Sequence, residues 1–296
     1  MSATVRVATP PGVFRPRSDA LLLAAVVRER GLARGARVLD LFTGSGVLAV
    51  AAALEGAADV TAVDLSRRAV LAARRNARRN GVRVRALRGD LLAPVAGERF
   101  DLIVANPPYL PGAAELPRSG AARAWEGGSD GRALVDRLCA AAGGALAPGG
   151  RLLLVQSSLT GERETLERLA AAGLPARTVA RRRGPLGPLA RARIAALRAS
   201  GRLAPRGEEE EIVVIEAAAG PAPRPPTPAP ARITPYRDGP YLLRGPFEMI
   251  GQDGRAIDCS RQTVALCRCG RSQIRPFCDG THKLIGFRAA GGAEGR

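Results

Sequence analysis

Three thiols and one imidazole fall within 16 residues near the end of the chain: Cys267-x-Cys269, then Cys278 and His282. Donors of this softness and spacing can converge on a compact metal site, and Pro276 and Gly280 supply the turns. Cys267-x-Cys269 is too tight for the C-x-x-C knuckle of a zinc ribbon. Three Cys and one His nonetheless suit tetrahedral zinc, so on residue type alone zinc and an iron–sulfur cluster both stand.

A different chemistry is written in Asn106-Pro107-Pro108-Tyr109. Two prolines stiffen a loop and remove two backbone donors, which leaves free carbonyls. Asn106 offers an amide oxygen and Tyr109 a π face. A planar nitrogen, in a carboxamide or an adenine amine, is a poor nucleophile because its lone pair is delocalised. Accepting its N–H bonds at Asn106 Oδ1 and the Pro107 carbonyl would hold it in line with an electrophile. Orientation and electrostatics then carry the rate without a strong base. Asn106, Pro107 and Tyr109 are the expected catalytic residues.

Upstream, Val38-Leu-Asp40-Leu-Phe-Thr-Gly44-Ser-Gly46 reads as a strand entering a glycine turn and then a helix. Gly44 and Gly46 let the backbone approach a ligand without Cβ interference. Asp64, 20 residues after Gly44, is placed to accept hydrogen bonds from ribose hydroxyls, and Asp90 stands where a base edge would be read. Ala49 stands where the dinucleotide fingerprint has its third glycine, so a pyrophosphate anchor is not expected. Asp40, Gly44, Gly46, Asp64, Asp90 and Asn106 form the expected cofactor set.

These residues need a scaffold. Apolar runs at Val38–Phe42, Val60–Val63, Val82–Leu87, Leu102–Val104, Leu152–Val155 and Ile212–Ile215 read as strands. Val47–Leu54, Ser66–Asn80, Arg132–Leu146 and Glu162–Ala172 read as helices, with Ser66 an N-cap and Gly81 a stop. Alternation of this kind predicts an α/β, mostly parallel, doubly wound sheet over residues 1–219. Residues 220–232 are dominated by Pro and Ala and read as an extended spacer. A small Gly-punctuated, cysteine-bearing domain is expected over 233–290, then a disordered tail at 291–296. The segment 181–206 reads as a basic, solvated helix or loop. Cys139 reads as a small core residue.

Basic residues outnumber acids 45 to 27, for a net charge of +18. Lys283 is the only lysine. A field of this sign attracts polyanions, so contact with RNA or the ribosome through a basic surface is an expectation. Five cysteines, three of them clustered, do not make a disulfide framework. The opening residues lack a charged stretch followed by an apolar one, and the apolar runs at 20–27 and 47–54 are too short to span a bilayer. A cytoplasmic protein without membrane attachment is expected.

The strand–glycine-loop–helix unit with acids at later strand ends resembles the class I, Rossmann-like methyltransferases. The resemblance implies S-adenosylmethionine as cofactor, with Asp64 at its ribose and Asp90 beside its adenine. Asn-Pro-Pro-Tyr is shared by adenine methyltransferases and by glutamine methyltransferases of release factors. Trp125-Glu-Gly-Gly-Ser-Asp-Gly131 looks like the loop that follows the tetrad in HemK-type enzymes. Val13-Phe14-x-Pro16-x-x-Asp19 with Leu21-Leu22 is similar to the opening motif of that family's short, Mtq-like branch, though Ala20 replaces the usual Thr. The first strand, near residue 37, leaves no room in this chain for the long helical substrate domain of bacterial HemK enzymes. The resemblance spans about 13–216. It implies a protein substrate, a release factor, and in some members a small zinc-binding activator subunit. The cysteine motif resembles the CDGSH (mitoNEET-like) family, with Thr281 for the usual Ser. That implies a 2Fe–2S cluster on Cys267, Cys269, Cys278 and His282 in a small β-rich domain. The expected function is therefore methyl transfer to a glutamine amide beside a tethered redox module. Its rivals are an adenine N6-methyltransferase and a redox or cluster-transfer protein using the methyltransferase fold to bind partners.

Overall fold

The strand that leads into the glycine turn, β1 (Arg37–Leu41), is buried at every position after its first, as expected of a strand covered on both faces. In the computed structural model, which describes residues 5–112, 115–117, 121–220, 231–259 and 263–292, it lies near the centre of a seven-stranded sheet. The others are β2 (Asp59–Asp64), β3 (Arg85–Arg88), β4 (Phe100–Ala105), β5 (Leu146–Ser157), β6 (Ala176–Pro185) and β7 (Glu209–Ala218). Their order is β3-β2-β1-β4-β5-β7-β6. The first five run parallel, and β7 is antiparallel to both its neighbours.

Strand order reverses at β1, with β2 on one side and β4 on the other. The loops leaving β1 and β4 therefore open side by side, with Leu41 in register with Ala105. Such a switch point is where ligands bind in open α/β sheets. Helices α1 (Ser18–Glu29), α2 (Val47–Leu54) and α3 (Arg67–Arg79) pack apolar side chains on one face of the sheet. On the other face lie α4 (Ala133–Ala141) and α5 (Glu162–Ala171), with Cys139 fully buried between helix and sheet. Ser66 caps α3, its Oγ accepting from Ala69 N at 3.4 Å, and Gly81 follows it at φ +69°.

Several expectations shift. The apolar stretch 20–27 is α1, with Ala20, Leu23, Val26 and Val27 buried. The helix expected over 132–146 stops at Ala141, because Leu146 already pairs with Phe100 in β5. The third strand begins at Arg85 rather than Val82. Residues 176–185 form β6, a strand hidden from the sequence because its burial pattern is only partial and three arginines interrupt it. The supposedly solvated segment 181–206 also carries α6 (Pro188–Arg191) and α7 (Ile194–Ala199). Leu186, Ala190, Leu197 and Leu203 from it bury with Leu110 and Leu159 in a third apolar cluster. Glu216 ties this edge together, accepting from Arg30 and Arg151 at 2.8 Å each and from Arg177 at 3.3 Å.

The chain divides into two units, Met1–Ala222 and Pro223–Arg296. The expected spacer lies mostly outside the described residues, as do 293–296 of the expected tail. The second unit contains β8 (Arg232–Pro235), β9 (Tyr241–Arg244) and β10 (Thr263–Leu266) in an antiparallel sheet ordered β10-β9-β8, then α8 (Thr281–Leu284). Leu243 and Val264 are its buried hydrophobics among the described residues. No helix among the described residues is long and apolar enough to cross a membrane.

Candidate active site and candidate metal centre

The β1 turn is held from below. Asp40 is fully buried, its Oδ2 accepting from the Thr43 hydroxyl at 2.5 Å and from Ala49 N at 3.0 Å. Its Oδ1 has no hydrogen-bond partner among the described residues, and burial raises its pKa from 3.8 to about 7, opposed by the bonds from Thr43 and Ala49 and assisted by Asp64. Asp40 thus braces the loop and does not line the cleft above it. Gly46 starts α2 at φ +81°, and a Cβ there would stand 2.8 Å from Ala73 of α3, so only glycine allows the two helices to approach. Gly44 has φ +54°, and a Cβ there would meet Phe42 O at 3.9 Å, an ordinary contact.

Above this loop lies a cleft of about 1470 Å³. Gly44, Ser45, Asp64, Asp90, Asn106, Pro107 and Tyr109 all line it, so the expected cofactor and catalytic residues meet there, except Asp40 and Gly46 beneath. Asp64 ends β2, its Oδ2 accepting from Gly44 N at 2.9 Å and its Oδ1 from Ser66 N at 2.8 Å. Burial raises its pKa, while those two amides and Arg123 oppose the shift. Each oxygen keeps a lone pair for a further donor. Asp90 is exposed and pairs with Arg137 at 2.6 Å. Ser45 Oγ is buried without a partner beside the cleft. A glycine in the left-handed region at the cleft, a hydroxyl unengaged among the described residues and a strand-end carboxylate fit an amino-acid-bearing nucleoside such as S-adenosylmethionine.

At the end of β4, Asn106 is half-buried and its amide makes no hydrogen bond among the described residues, so its oxygen is open to a substrate N–H. Pro107 and Pro108 are buried. Tyr109 donates its hydroxyl to Asp19 Oδ2 at 2.9 Å, and burial first, then Asp19, holds the phenol well above its ordinary pKa. Asp19 Oδ1 in turn accepts from Ala20 N. The opening motif is therefore clamped onto the tetrad. Phe14 packs against Trp125 with ring centroids 6.1 Å apart, and Arg17 lies over Phe14 at 5.5 Å.

The 125–131 loop supports the tetrad from its other side. Leu110 N donates to Trp125 O, and Gly127 N to Leu110 O. A Cβ on Gly131 would sit 2.2 Å from Tyr109 O, and one on Gly127 would sit 2.7 Å from Pro108 O. The Thr160 hydroxyl donates to Tyr109 O at 2.8 Å. Buried Arg132 holds Thr160 O and Gly161 O at 2.9 Å and Asp136 at 2.5 Å. Sequence reasoning missed Thr160, Arg132 and the cleft wall from the β6–β7 edge, including Arg182, Leu189 and Glu210. A buried arginine among so many is not distinguishable by composition.

In the second unit Cys267 follows β10 directly. Its amide donates to Pro276 O, and Cys278 N donates to Ala265 O, which brings the two halves of the motif together. The donors form two pairs: Cys267 Sγ and Cys269 Sγ lie 3.8 Å apart, and Cys278 Sγ and His282 Nδ1 lie 3.2 Å apart. Among the described residues no group of three or more His, Cys, Asp and Glu gathers around a single metal position. Two ligand pairs suit a centre of two irons, each taking one pair. The Ser272 amide first, then that of Gly270, and the Cys269 side chain lower the Cys267 pKa, which favours the thiolate that binds metal. Asp279 accepts from Gln273 N and Thr281 N, which hold its carboxyl well below the usual range and fix the loop between Cys278 and His282.

Comparison with known proteins finds a match in each unit. The family described as methyltransferase small domain matches residues 4–122, and the iron-binding zinc finger of CDGSH type matches 238–283. The chain is 36% identical over 176 residues to the putative protein N5-glutamine methyltransferase of Methanocaldococcus jannaschii, covering 59% of this chain and 87% of that one. It is 40% identical over 154 residues to the release factor glutamine methyltransferase of Geobacter sulfurreducens, covering 49% and 53%. The chain thus spans only about half the length of that relative. Among solved structures, the E. cuniculi Mtq2–Trm112 complex, described as responsible for methylation of the eRF1 translation termination factor, aligns with TM-score 0.50 and 25% identity. That match covers 71% of this chain and 99% of the other.

Proposed function

This chain belongs to the protein N5-glutamine methyltransferase family, and from that premise we propose that it methylates the side-chain amide of a glutamine in a peptide chain release factor. The first unit is an S-adenosylmethionine-dependent N-methyltransferase, and the second is an iron-binding CDGSH domain of the kind that holds a 2Fe–2S cluster. The observation that carries the proposal is Asn106: an amide without a partner among the described residues, at the strand end beside the Gly44 loop, on a tetrad braced from both sides.

When bound, S-adenosylmethionine supplies an electrophilic methyl group on a sulfonium. Gly44 and Asp64 would hold its amino-acid and ribose parts, with Asp90 near the base. Asn106 Oδ1 and the Pro107 carbonyl accept the two N–H bonds of the acceptor amide. That orients the nitrogen and withdraws proton density from it as it becomes a nucleophile. Tyr109, fixed through Asp19, presents its ring to the planar group. Orientation of this kind is worth several kcal/mol of barrier, on the order of 10²-fold lost per ångström of misplacement. Cys267, Cys269, Cys278 and His282 would hold the cluster. We place the protein in the cytoplasm on the same reading, because its proposed acceptor works there.

The test offers the full chain labelled S-adenosylmethionine with purified release factor, and separately with total RNA and DNA. Label in the release factor supports the proposal; label confined to adenine in nucleic acid replaces it with the adenine reading. Because the E. cuniculi structure is described as an Mtq2–Trm112 complex, a Trm112-type subunit is added in a parallel arm.

A further inference from the structure

The sequence draws the eye to Arg181–Arg183 as the basic surface, but the fold neutralises most of that run. Arg181 pairs with Glu162 and Glu211, and Arg183 pairs with Glu209 at 2.6 Å. Uncompensated charge gathers instead on α3. Its buried side consists of Ala69, Val70, Ala72, Ala73, Asn76 and Ala77. At 3.6 residues per turn, everything else on the helix falls within an arc of roughly 140°. That arc holds six arginines, one leucine and no acid. Arg74 turns back to Ala86 O at 2.6 Å. Arg67, Arg68, Arg75, Arg78 and Arg79 are exposed and make no ion pair or side-chain hydrogen bond among the described residues. The helix starts at the catalytic cleft, where Arg67 and Arg68 line the rim.

We propose that the outer face of α3 docks the phosphate backbone of double-stranded RNA. Five unpaired guanidiniums in two rows, with Arg75 and Arg79 about 6 Å apart along the axis, match a polyanion of regularly repeating charge. Apolar insertion into a membrane is not available, because the apolar side of α3 is spent on the sheet. Base reading is disfavoured by the duplex itself, because the deep, narrow major groove of A-form RNA closes guanine edges to arginine. Asn76, the one amide side chain within the helix, is buried and bonded to Ala8 and Ser45. No exposed aromatic of the described residues belongs to this unit, so a stacking platform for single strands is lacking. What remains is recognition of a duplex by its backbone. The choice of RNA over DNA rests on the proposed acceptor, since a release factor meets its partners beside ribosomal RNA.

Binding is measured by fluorescence anisotropy of a short labelled RNA duplex titrated with the full chain at several salt concentrations. Neither S-adenosylmethionine nor release factor is present, so failure here is separable from failure of the methylation reading. R75Q/R78Q/R79Q should weaken binding on the order of tenfold or more at low salt and reduce the slope of log affinity against log salt by about 2–3. R75K/R78K/R79K should keep the slope. R182Q should change it by no more than about 1. Equal affinity and slope in the triple Gln variant, with its Trp125 emission unchanged, would overturn the proposal. So would tighter binding of a DNA duplex, or competition by polyglutamate as effective as unlabelled RNA at equal charge.

Discussion

Asp40→Asn should remove a large part of the loss of stability that the methyltransferase unit suffers as pH rises from 5 to 8. In the folded chain Asp40 has a pKa of about 7, against 3.8 for an ordinary aspartate, because it is fully buried with one oxygen unpartnered. Between those values the folded state holds a proton that the unfolded state has released. The stability this confers is complete below pH 3.8 and disappears as pH climbs through 7. At 1.36 kcal/mol per unit, the contribution is about 2–3 kcal/mol at pH 5 and near zero at pH 8. Asparagine keeps an oxygen for Thr43 and Ala49 but cannot titrate. The difference in unfolding free energy between variant and wild type should therefore shift by about 2–3 kcal/mol in the variant's favour from pH 5 to pH 8. Urea titration followed by tryptophan emission reads it cleanly, because Trp125 is the only tryptophan and lies in this unit. Titrating groups that do not interact with Asp40 cancel in the difference. Parallel stability curves across that range would show that Asp40 is ionised throughout, and would refute the account of a buried, half-satisfied carboxyl beneath the loop.

Other outcomes follow from the contacts at the two sites. Tyr109→Phe leaves Asp19 Oδ2 without its donor, so kcat/KM should fall by about 1–3 kcal/mol of barrier while S-adenosylmethionine affinity by isothermal titration stays near wild type. Gly131→Ala forces a methyl group against Tyr109 O at φ +78°, and should lower the unfolding midpoint and displace the tetrad, with activity lost beyond the stability change. Cys269→Ser should abolish the visible absorption of the iron centre and the hydrogen-exchange protection around β10 and α8. The Trp125 transition should be unchanged, because a unit with so few buried hydrophobics depends on its metal.

Much of this was legible in the sequence wherever function imposes a residue type. The β1 turn shows itself because Gly46 must lie against Ala73, and the tetrad because two prolines follow an asparagine at a strand end. Asp64, Ser66 and Gly81 stand where the spacing put them. Asp40 was legible as a residue but not in its role: whether an acid in a strand faces the ligand or the loop behind it depends on the path of the turn. The β6–β7 edge was not legible, because β6 is a partly exposed strand whose arginines answer acids distant in sequence, Glu162 and Glu211. Composition likewise marked a basic protein without locating the charge. Location depends on which arginines find carboxylates, and on α3 among the described residues they do not.

The central claim is that Asn106 orients a glutamine nitrogen for methylation, and one measurement addresses it directly. Release factor is incubated with S-adenosylmethionine and either the wild-type chain or Asn106→Ala, then digested and analysed by tandem mass spectrometry. The account predicts a single glutamine side chain heavier by one CH₂ with the wild type, and a rate at least about 10²-fold lower with the variant, whose S-adenosylmethionine affinity is retained. An unmodified release factor with the active wild-type chain, or equal modification by both proteins, would contradict it.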